Sequence, residues 1–467
     1  MTKARAHRYD LIVIGAGPAG DRAATIAAGL DKNVALVESH NLGGAAVNTG
    51  TLPSKTLRET ALYLSGFRQR GLYGVEYTFD REVTVADLMY RAREIVRGHQ
   101  VLAGERLAYH SIELFQGTAA IVDPHTVRVS HEHGRTVTLD GQFILIATGS
   151  RPFHPAGIPF DAKLVHDSDS ILRIKRIPAS IVIVGAGIIG CEYATLFSAL
   201  GISVSLIDND DKFLPILDEE IAALLMERMR SLGISLVFER RVESVRRTKD
   251  NRGVVVSFKE GDELSADIAL FCVGRSSNIE ALGLDQLGVL LGERGCIAVN
   301  ENFQTTVPNI YAAGDVIGSP ALASTSMEQA YSAVGHAFGA IGQHGSHVAI
   351  PTGLYTIPEV AMIGATEQSL REQGVHYAVG RAPFRQNSRA QIVGDTRGLL
   401  KLIFDPAGRR LLGVHIIGEQ ATELIHIGQA CMFFHGTIDF FLQSVFNFPT
   451  LSDLYKSAAH DGLAKLR

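Results

Sequence analysis

The stretch Gly15-Ala-Gly-Pro-Ala-Gly20 has a second copy in the chain, Gly185-Ala-Gly-Ile-Ile-Gly190. In both copies an apolar run precedes the glycines and a helical pattern follows them. An acidic residue, Glu38 or Asp208, comes 23 positions after the first glycine of each copy. A strand, a glycine-rich turn, a helix and a second strand ending in an acid make up the βαβ unit that binds dinucleotides. The duplication therefore predicts two such units and two bound dinucleotides.

Each residue type in this unit has a physical task. The glycines allow a tight turn, close approach of the backbone to a pyrophosphate and close packing of helix on strand, while the acid binds a ribose hydroxyl. The pyrophosphate lies at the helix N-terminus, where backbone N–H groups are unpaired. The predicted contacts of the first unit are Gly15, Gly17, Pro18, Ala19, Gly20, Glu38 and Ser39. Those of the second unit are Gly185, Gly187, Ile188, Ile189, Gly190 and Asp208.

The acidic residues of the second copy bear on which nicotinamide dinucleotide it binds. Asp208, with Asp210 and Asp211 close by, favours the 2′-hydroxyl of NAD(H) and repels the 2′-phosphate of NADP(H). The positive charge of Lys212 partly compensates for this repulsion. The sequence thus predicts NAD(H) as the better ligand of this unit.

Composition narrows the functional class. The chain has 467 residues, 46% of them hydrophobic and 20% charged, as in an ordinary globular protein. A formal net charge of −5 and the lack of long basic runs predict no nucleic-acid or membrane partner. No apolar run approaches a membrane-spanning length, so a cytoplasmic location is expected. The four cysteines, Cys191, Cys272, Cys296 and Cys431, form no C-x-x-C pair, and no His/Cys/Asp cluster has metal-ligand spacing, so no metal site is expected.

Apolar strands that end in glycine mark the domain organisation. They close with Ala147-Thr-Gly149, Gly274-Arg275 and Gly314-Asp315. We predict an α/β fold with two Rossmann-like dinucleotide-binding domains and a C-terminal α+β dimerisation domain. The first dinucleotide-binding domain covers residues 1–151 and resumes over 276–348. The second covers 152–275, and the C-terminal domain covers 349–467, with strands near 399–404 and 411–417 and a helix near 423–434.

These landmarks, in this order and over essentially the whole chain, resemble the FAD-dependent pyridine nucleotide–disulfide oxidoreductases. The resemblance implies that the first unit binds FAD and that the second binds NAD(H) or NADP(H). It also implies that the C-terminal domain forms a homodimer or a higher homo-oligomer. It implies an FAD adenosine ribose at Glu38. It adds these cofactor contacts: Gly44, Ala45, Lys55, Thr118, Ala119, Ala147, Thr148, Gly149, Val242, Gly274, Arg275, Gly314, Asp315 and Ala323.

The segment Gly43-Gly-Ala-Ala-Val-Asn-Thr-Gly-Thr-Leu-Pro-Ser-Lys55 departs from the family pattern. Where the disulfide reductases of the family carry a redox-active cysteine pair, this chain has Ala46 and Thr51. Neither side chain can form a thiolate or a mixed disulfide. Near the C-terminus, Phe448 stands where the family places a catalytic histidine, and Asp453 stands at the accompanying carboxylate position. Disulfide reduction by the family mechanism is therefore excluded.

What remains is a flavin enzyme without a disulfide step. Other stretches, such as Tyr355-Thr-Ile-Pro-Glu359, are similar to a branch of the family that transfers hydride between NAD(H) and NADP(H). The resemblance implies that Lys55 stabilises reduced flavin and pairs with Glu192. Two alternatives stay open, a quinone reductase of the same fold and a catalytically weak flavin-binding sensor.

Overall fold

The computed structural model of the protein describes residues 7–66, 72, 83–131, 134–340 and 349–466. The predicted boundary after residue 348 lies outside these described residues. Contacts divide the chain into two compact units. The first unit comprises Met1–Thr56, Met89–His154 and Gly274–Gly345, and the second comprises Leu57–Leu88, Pro155–Val273 and Ser346–Arg467. No helix within the described ranges is both long and apolar enough to cross a bilayer.

The strands are numbered in chain order. They are β1 (His7–Ile14), β2 (Val34–Glu38), β3 (Glu113–Gln116), β4 (Thr118–Asp123), β5 (Thr126–Ser130), β6 (Thr136–Ile146), β7 (Ser150–Pro152), β8 (Val165–Asp167), β9 (Ser180–Val184), β10 (Ser203–Ile207), β11 (Ser235–Val237), β12 (Val242–Arg247), β13 (Val254–Phe258), β14 (Glu263–Ala266), β15 (Ile268–Phe271), β16 (Arg275–Ser277), β17 (Ile310–Ala312), β18 (Thr352–Leu354), β19 (Val360–Gly364), β20 (Ala378–Pro383), β21 (Leu399–Phe404) and β22 (Leu411–Ile417).

The helices follow the same numbering. They are α1 (Pro18–Gly29), α2 (Gly44–Asn48), α3 (Thr51–Leu64), α4 (Val85–Tyr109), α5 (Ile188–Ala199), α6 (Glu219–Ser231), α7 (Leu284–Leu287), α8 (Ala323–Phe338), α9 (Glu367–Glu372), α10 (Ser388–Val393), α11 (Ala421–Phe433), α12 (Asp439–Gln443) and α13 (Asp453–Ala464). Short 3-10 segments cover Ser170–Arg173, Glu293–Gly295, Asp315–Ile317 and Phe384–Gln386.

The first unit is built on a seven-stranded sheet of order β3-β2-β1-β6-β5-β4, with β17 also paired to β6. Strands β3, β2, β1, β6 and β17 run parallel, and β4 and β5 add an antiparallel edge. Alternate residues of β1 enter different cores: Leu11 and Val13 pack with α1, whereas Ile12 and Ile14 join the opposite core. Burial on both faces explains why β1 is nearly all apolar.

The second unit repeats this arrangement and adds two antiparallel sheets. Its parallel sheet has the order β11-β10-β9-β15-β8. Strand β9, which precedes the second glycine-rich loop, pairs with β15 and with β10, the strand that ends just before Asp208. Strands β12, β13 and β14 form an antiparallel meander. The C-terminal part forms an antiparallel sheet of order β18-β19-β22-β21-β20, packed against α11 and α13 around a common core.

The predicted fold class is confirmed. The strands expected at 399–404 and 411–417 have those bounds, and the helix expected near 423–434 spans Ala421–Phe433. Both βαβ units are present, with α1 and α5 beginning directly after their glycine-rich loops.

Candidate dinucleotide sites

The first glycine-rich loop lies between β1 and α1. Helix α1 begins at Pro18, and its N-cap residue, Gly17, makes no side-chain cap hydrogen bond. The N–H groups of a first helical turn lack helical partners, and the helix dipole favours a negative group there. A Cβ atom on Gly20 would lie 1.7 Å from the carbonyl oxygen of Gly15, so this packing requires glycine. The loop therefore suits a pyrophosphate.

The second loop reproduces the first. Helix α5 begins at Ile188 after the N-cap residue Gly187, again without a side-chain cap. A Cβ atom on Gly190 would lie 1.9 Å from the carbonyl oxygen of Gly185. The predicted contacts Ile188 and Ile189 form the first helical turn and are half-buried.

The two acids hold equivalent positions. Glu38 accepts hydrogen bonds from the backbone N–H groups of Ala16 and His40, both at 2.8 Å. Asp208 accepts them from Ala186 at 2.5 Å and from Asp210 at 3.0 Å. Each carboxylate is thus fixed against the first turn of its own glycine-rich loop. Both oxygens of each acid keep a second lone pair with which to accept a ribose hydroxyl.

The carboxyl end of β6 lies against the first loop. A Cβ atom on Gly15 would come within 2.3 Å of the carbonyl oxygen of Ala147. Thr148 follows and is fixed to Asn278 by two hydrogen bonds. Thr148 Oγ1 donates to the carbonyl oxygen of Asn278 at 2.7 Å, and Asn278 Nδ2 donates to the carbonyl oxygen of Thr148 at 2.9 Å. Ala147, Thr148 and Gly149 therefore border the predicted flavin nucleotide site.

A polar triad follows this segment. Ser150 Oγ donates to Asp315 Oδ2 at 2.6 Å and accepts from Arg275 Nε at 2.7 Å. Arg275 also donates to the carbonyl oxygen of Ser150 at 2.8 Å and lies 3.8 Å from Asp315. Arg275 is only partly exposed and orders Asp315 through Ser150.

Two more glycines bring their segments close to the first loop. A Cβ atom on Gly44, whose φ is +55°, would lie 2.7 Å from Gly17 Cα, and one on Gly314 would lie 3.3 Å from Ala19 Cβ. Gly314 N–H donates to Gln329 on α8 at 2.8 Å. Helix α2 and the Gly314-Asp315 turn therefore both lie close to the first glycine-rich loop and the start of α1.

The remaining predicted cofactor residues have these locations. Ser39 follows β2 and its Oγ atom is 2.9 Å from His40 Nδ1. Ala45 lies on α2, Lys55 on α3, and Thr118 and Ala119 on β4. Val242 begins β12, Gly274 precedes β16, and Ala323 begins α8.

Glu192 has a backbone partner that the sequence did not indicate. Its Oε1 atom accepts a hydrogen bond from the N–H group of Tyr355 at 2.9 Å, and Thr195 accepts one from Ile357 at 3.2 Å. The buried Arg58 donates to the carbonyl oxygen of Thr356 at 3.0 Å. Segment 355–357 therefore fastens α5 and α3 together. The similarity of residues 355–359 to the family was the one signal for this role. The pairing of Glu192 with Lys55 remains a prediction.

Three of the four cysteines are placed as poor nucleophiles. Burial raises the pKa of Cys191 and Cys272, and it raises the pKa of Cys431 to about 11. Ala46 lies on α2 and Thr51 begins α3, the segment in which the disulfide reductases of the family place their thiols.

One acidic cluster has the spacing of a metal site among the described residues. It consists of Asp218, Glu220 and Glu367. The ammonium group of Lys401 lies between these carboxylates, at 2.6, 2.9 and 2.5 Å respectively. The cluster is therefore built around a side-chain cation.

A duplicated βαβ fold with two equivalent loops and acids is the architecture expected of a protein that binds two dinucleotides. Residues 9–336 match the pyridine nucleotide-disulphide oxidoreductases, and residues 350–459 match the dimerisation domain of that group. The chain belongs to the pyridine nucleotide-disulphide oxidoreductase family.

Full-length relatives and solved structures agree with this assignment. The chain is 43% identical to the soluble pyridine nucleotide transhydrogenase of Mycobacterium bovis, covering 98% of each sequence. It is 39% identical to the protein of the same name from Pseudomonas putida, covering 98% of this chain and 99% of that one. The structure of LpdA from Mycobacterium tuberculosis gives a TM-score of 0.90 at 25% identity, over 97% of this chain and 99% of that chain. The HOCl-induced flavoprotein disulfide reductase RclA from Escherichia coli gives 0.87 at 27% identity, with the same coverage.

Proposed function

We propose that this protein is an FAD-dependent enzyme that transfers hydride between NAD(H) and NADP(H) without a redox-active disulfide. The observation that carries the proposal is the combination of two intact dinucleotide loops with Ala46 and Thr51 at the thiol positions. Relatives that are 39–43% identical and are named soluble pyridine nucleotide transhydrogenases support the same activity.

The first unit has the features that FAD requires. The N-terminus of α1 would hold the pyrophosphate, and Glu38 would hold the adenosine ribose. Asp315, ordered by Ser150, would accept hydrogen bonds from hydroxyl groups of the ribityl chain. Bound there, FAD would supply the chemistry by accepting a hydride from one nicotinamide and giving it to another.

The second unit would bind the nicotinamide dinucleotides in turn. The N-terminus of α5 would hold their pyrophosphate, and Asp208 would hold the adenosine ribose. The ammonium group of Lys55 would stabilise negative charge near the flavin ring. Glu192, held by Tyr355, would orient that ammonium group.

Steady-state and half-reaction assays test this proposal. NADPH as donor and thio-NAD as acceptor should give turnover in the absence of oxygen, and NADH alone should bleach the flavin absorbance. Bleaching by NADH without transfer between nucleotides would reject the proposal. Failure of NADH to bleach bound flavin would support the sensor alternative.

A quinone reductase is the second candidate, and the acidic residues after β10 favour it. Asp210 and Asp211 are exposed beside Asp208, and they would repel a 2′-phosphate. If NADH reduced the flavin and a soluble quinone, but not thio-NAD, reoxidised it at enzymatic rates, this second function would replace the first.

We also propose a homodimer formed through the C-terminal part of the chain. Large apolar side chains are exposed on this part of the single chain, including Phe434 at 78%, Val445 at 96% and Phe448 at 77%. Such surface is typical of an interface with another chain. Sedimentation velocity should give the mass of two chains, and a species of 50.3 kDa would contradict the dimer.

A further inference from the structure

We infer that Arg241 is the residue that accepts the 2′-phosphate of NADP(H) in the second dinucleotide site. This inference rests on the proposed function, because only a protein that uses both nucleotides needs such a group. It starts from a comparison of the two halves of the internal repeat.

Equivalent positions in the two halves can be identified from the residue that donates a hydrogen bond to the backbone carbonyl group of each acid. The carbonyl oxygen of Glu38 accepts a hydrogen bond from Gly117 at 2.8 Å, and that of Asp208 accepts one from Arg240 at 3.1 Å. Gly117 comes directly after β3, whereas Arg240 comes after β11 with Phe238 and Glu239 in between. Gly117-Thr118 in the first half therefore corresponds to Arg240-Arg241 in the second.

The exchange of Gly-Thr for Arg-Arg matches a difference between the ligands. FAD has a free hydroxyl group at the 2′ position of its adenosine ribose, so an uncharged pair beside Glu38 is sufficient. NADP(H) carries a doubly charged group at the 2′ position, and an arginine near the acid is the usual means of accommodating it. An arginine side chain available beside Asp208 would counteract the repulsion from the aspartates.

The two arginines differ in how they are held. Arg240 follows Glu239, whose φ of +58° turns the chain after β11, and its guanidinium group lies 2.8 Å from Asp262 and 3.7 Å from Glu260. Arg241 is exposed, and within the described residues its side chain forms no ion pair. Its carbonyl oxygen accepts a hydrogen bond from Lys259 at 3.0 Å, which fixes its backbone.

This division of roles assigns the phosphate contact to Arg241. Arg240 is a positioning residue, because its side chain is bound to the β13–β14 connection while its backbone holds Asp208. Arg241 is the next residue in the chain after that anchored position, and its guanidinium group has no ion-pair partner among the residues that the structure describes. Such a group can donate two hydrogen bonds to a phosphate.

The test uses the holoenzyme with 2′,5′-ADP and 5′-AMP as inhibitors competitive with the nicotinamide dinucleotide. These two probes differ in the 2′-phosphate alone. Arg241→Gln should raise the inhibition constant of 2′,5′-ADP by at least about tenfold, the effect of losing one charge-assisted hydrogen bond, and should leave that of 5′-AMP within about twofold. Stopped-flow reduction of the flavin should show the same selective loss with NADPH and none with NADH.

Arg246→Gln is the matched control, because Arg246 is an exposed arginine of the adjoining strand β12 that pairs with Glu263 at 2.7 Å. It should leave both constants unchanged. An unchanged ratio of the two constants in Arg241→Gln would overturn the assignment. So would a selective loss in Lys212→Gln or Arg240→Gln that exceeds the loss in Arg241→Gln. Because the inhibitors carry no nicotinamide, this result is independent of whether the enzyme passes hydride to thio-NAD.

Discussion

The hydroxyl group of Ser150 donates a 2.6 Å hydrogen bond to the carboxylate of Asp315, although 165 positions separate the two residues in the chain. The same hydroxyl oxygen accepts from Arg275, so it bridges a carboxylate and a guanidinium group that are 3.8 Å apart. Ser150 therefore sets the position in which Asp315 would meet the flavin nucleotide.

Ser150→Ala should weaken FAD binding by about tenfold, because the variant removes one charge-assisted hydrogen bond from Asp315. Fluorescence titration of the apoprotein with FAD measures the dissociation constant. Ser130→Ala, at an exposed serine of β5 in the same unit, is the control and should bind FAD as the original chain does. Equal affinity of the two variants would show that Asp315 does not depend on Ser150.

Reduction by NADH should reveal no new thiols. The chain has four cysteines, and burial raises the pKa of three of them, Cys191, Cys272 and Cys431. Titration with a thiol reagent after anaerobic reduction and denaturation should count four thiols per chain, the same number as before reduction. A gain of two thiols on reduction would mean that the oxidised chain contains a disulfide, even though Ala46 and Thr51 occupy the thiol positions of the family.

The local parts of the fold could be predicted from the sequence because their signals are local. The apolar run of β1, the glycines and the acid at the end of β2 all lie within the stretch from His7 to Glu38, and the structure has these elements at the expected positions. The repeat at Gly185 made the prediction stronger, because the same pattern occurred with the same spacing.

Contacts between distant segments could not be predicted in this way. Glu192 and Tyr355 are 163 positions apart, and nothing near Glu192 in the sequence indicates that a backbone N–H group holds its carboxylate. Lys401 gives another example, since a lysine in a strand is expected to face water, whereas this one is fully buried. Three carboxylates from other segments explain its position, and they are recognisable as a set only in the folded chain.

Lys401→Met should destabilise the second unit by about 3–5 kcal/mol, because it leaves the buried carboxylate of Asp218 without its counterion. The side chains of Lys401 and Asp218 are 1% and 0% exposed. Burial alone would lower the pKa of Lys401, but its hydrogen bonds to Asp218 and Glu367 outweigh burial and raise that pKa. The ammonium group is therefore charged at neutral pH.

Urea denaturation followed by circular dichroism measures this loss. Lys465→Met is the control, because Lys465 forms an exposed ion pair with Asp461 and its loss should cost less than about 1 kcal/mol. Combining Lys401→Met with Asp218→Asn should recover part of the lost stability. If Lys401→Met cost no more than the control, the buried ion pairs would contribute nothing net to folding.

Two buried histidines should make the protein less stable in mild acid. His166 and His415 are 1% and 0% exposed, and Nδ1 of His415 has no hydrogen-bond partner within the described residues. Burial lowers the pKa of both histidines. The nearby carboxylates of Asp161 and Asp167 act in the opposite direction at His166. At His415 the carboxylates of Asp218 and Glu367 also oppose the lowering, whereas the ammonium group of Lys401 adds to it.

The sign of the pH effect follows from these directions. An unfolded chain protonates histidine with a pKa of about 6.5, whereas the folded chain resists protonation at these two sites. The stability they contribute is complete above pH 6.5. It is lost as the pH falls from about 6.5 towards the lowered folded-state pKa, at up to about 1.4 kcal/mol per pH unit for each histidine. The urea midpoint should therefore fall between pH 7.5 and pH 5.5, and His166→Leu should flatten that fall. His99→Gln, at an exposed histidine of α4, should keep the original slope. A His166→Leu variant with the slope of the original chain would show that His166 takes up its proton without unfolding.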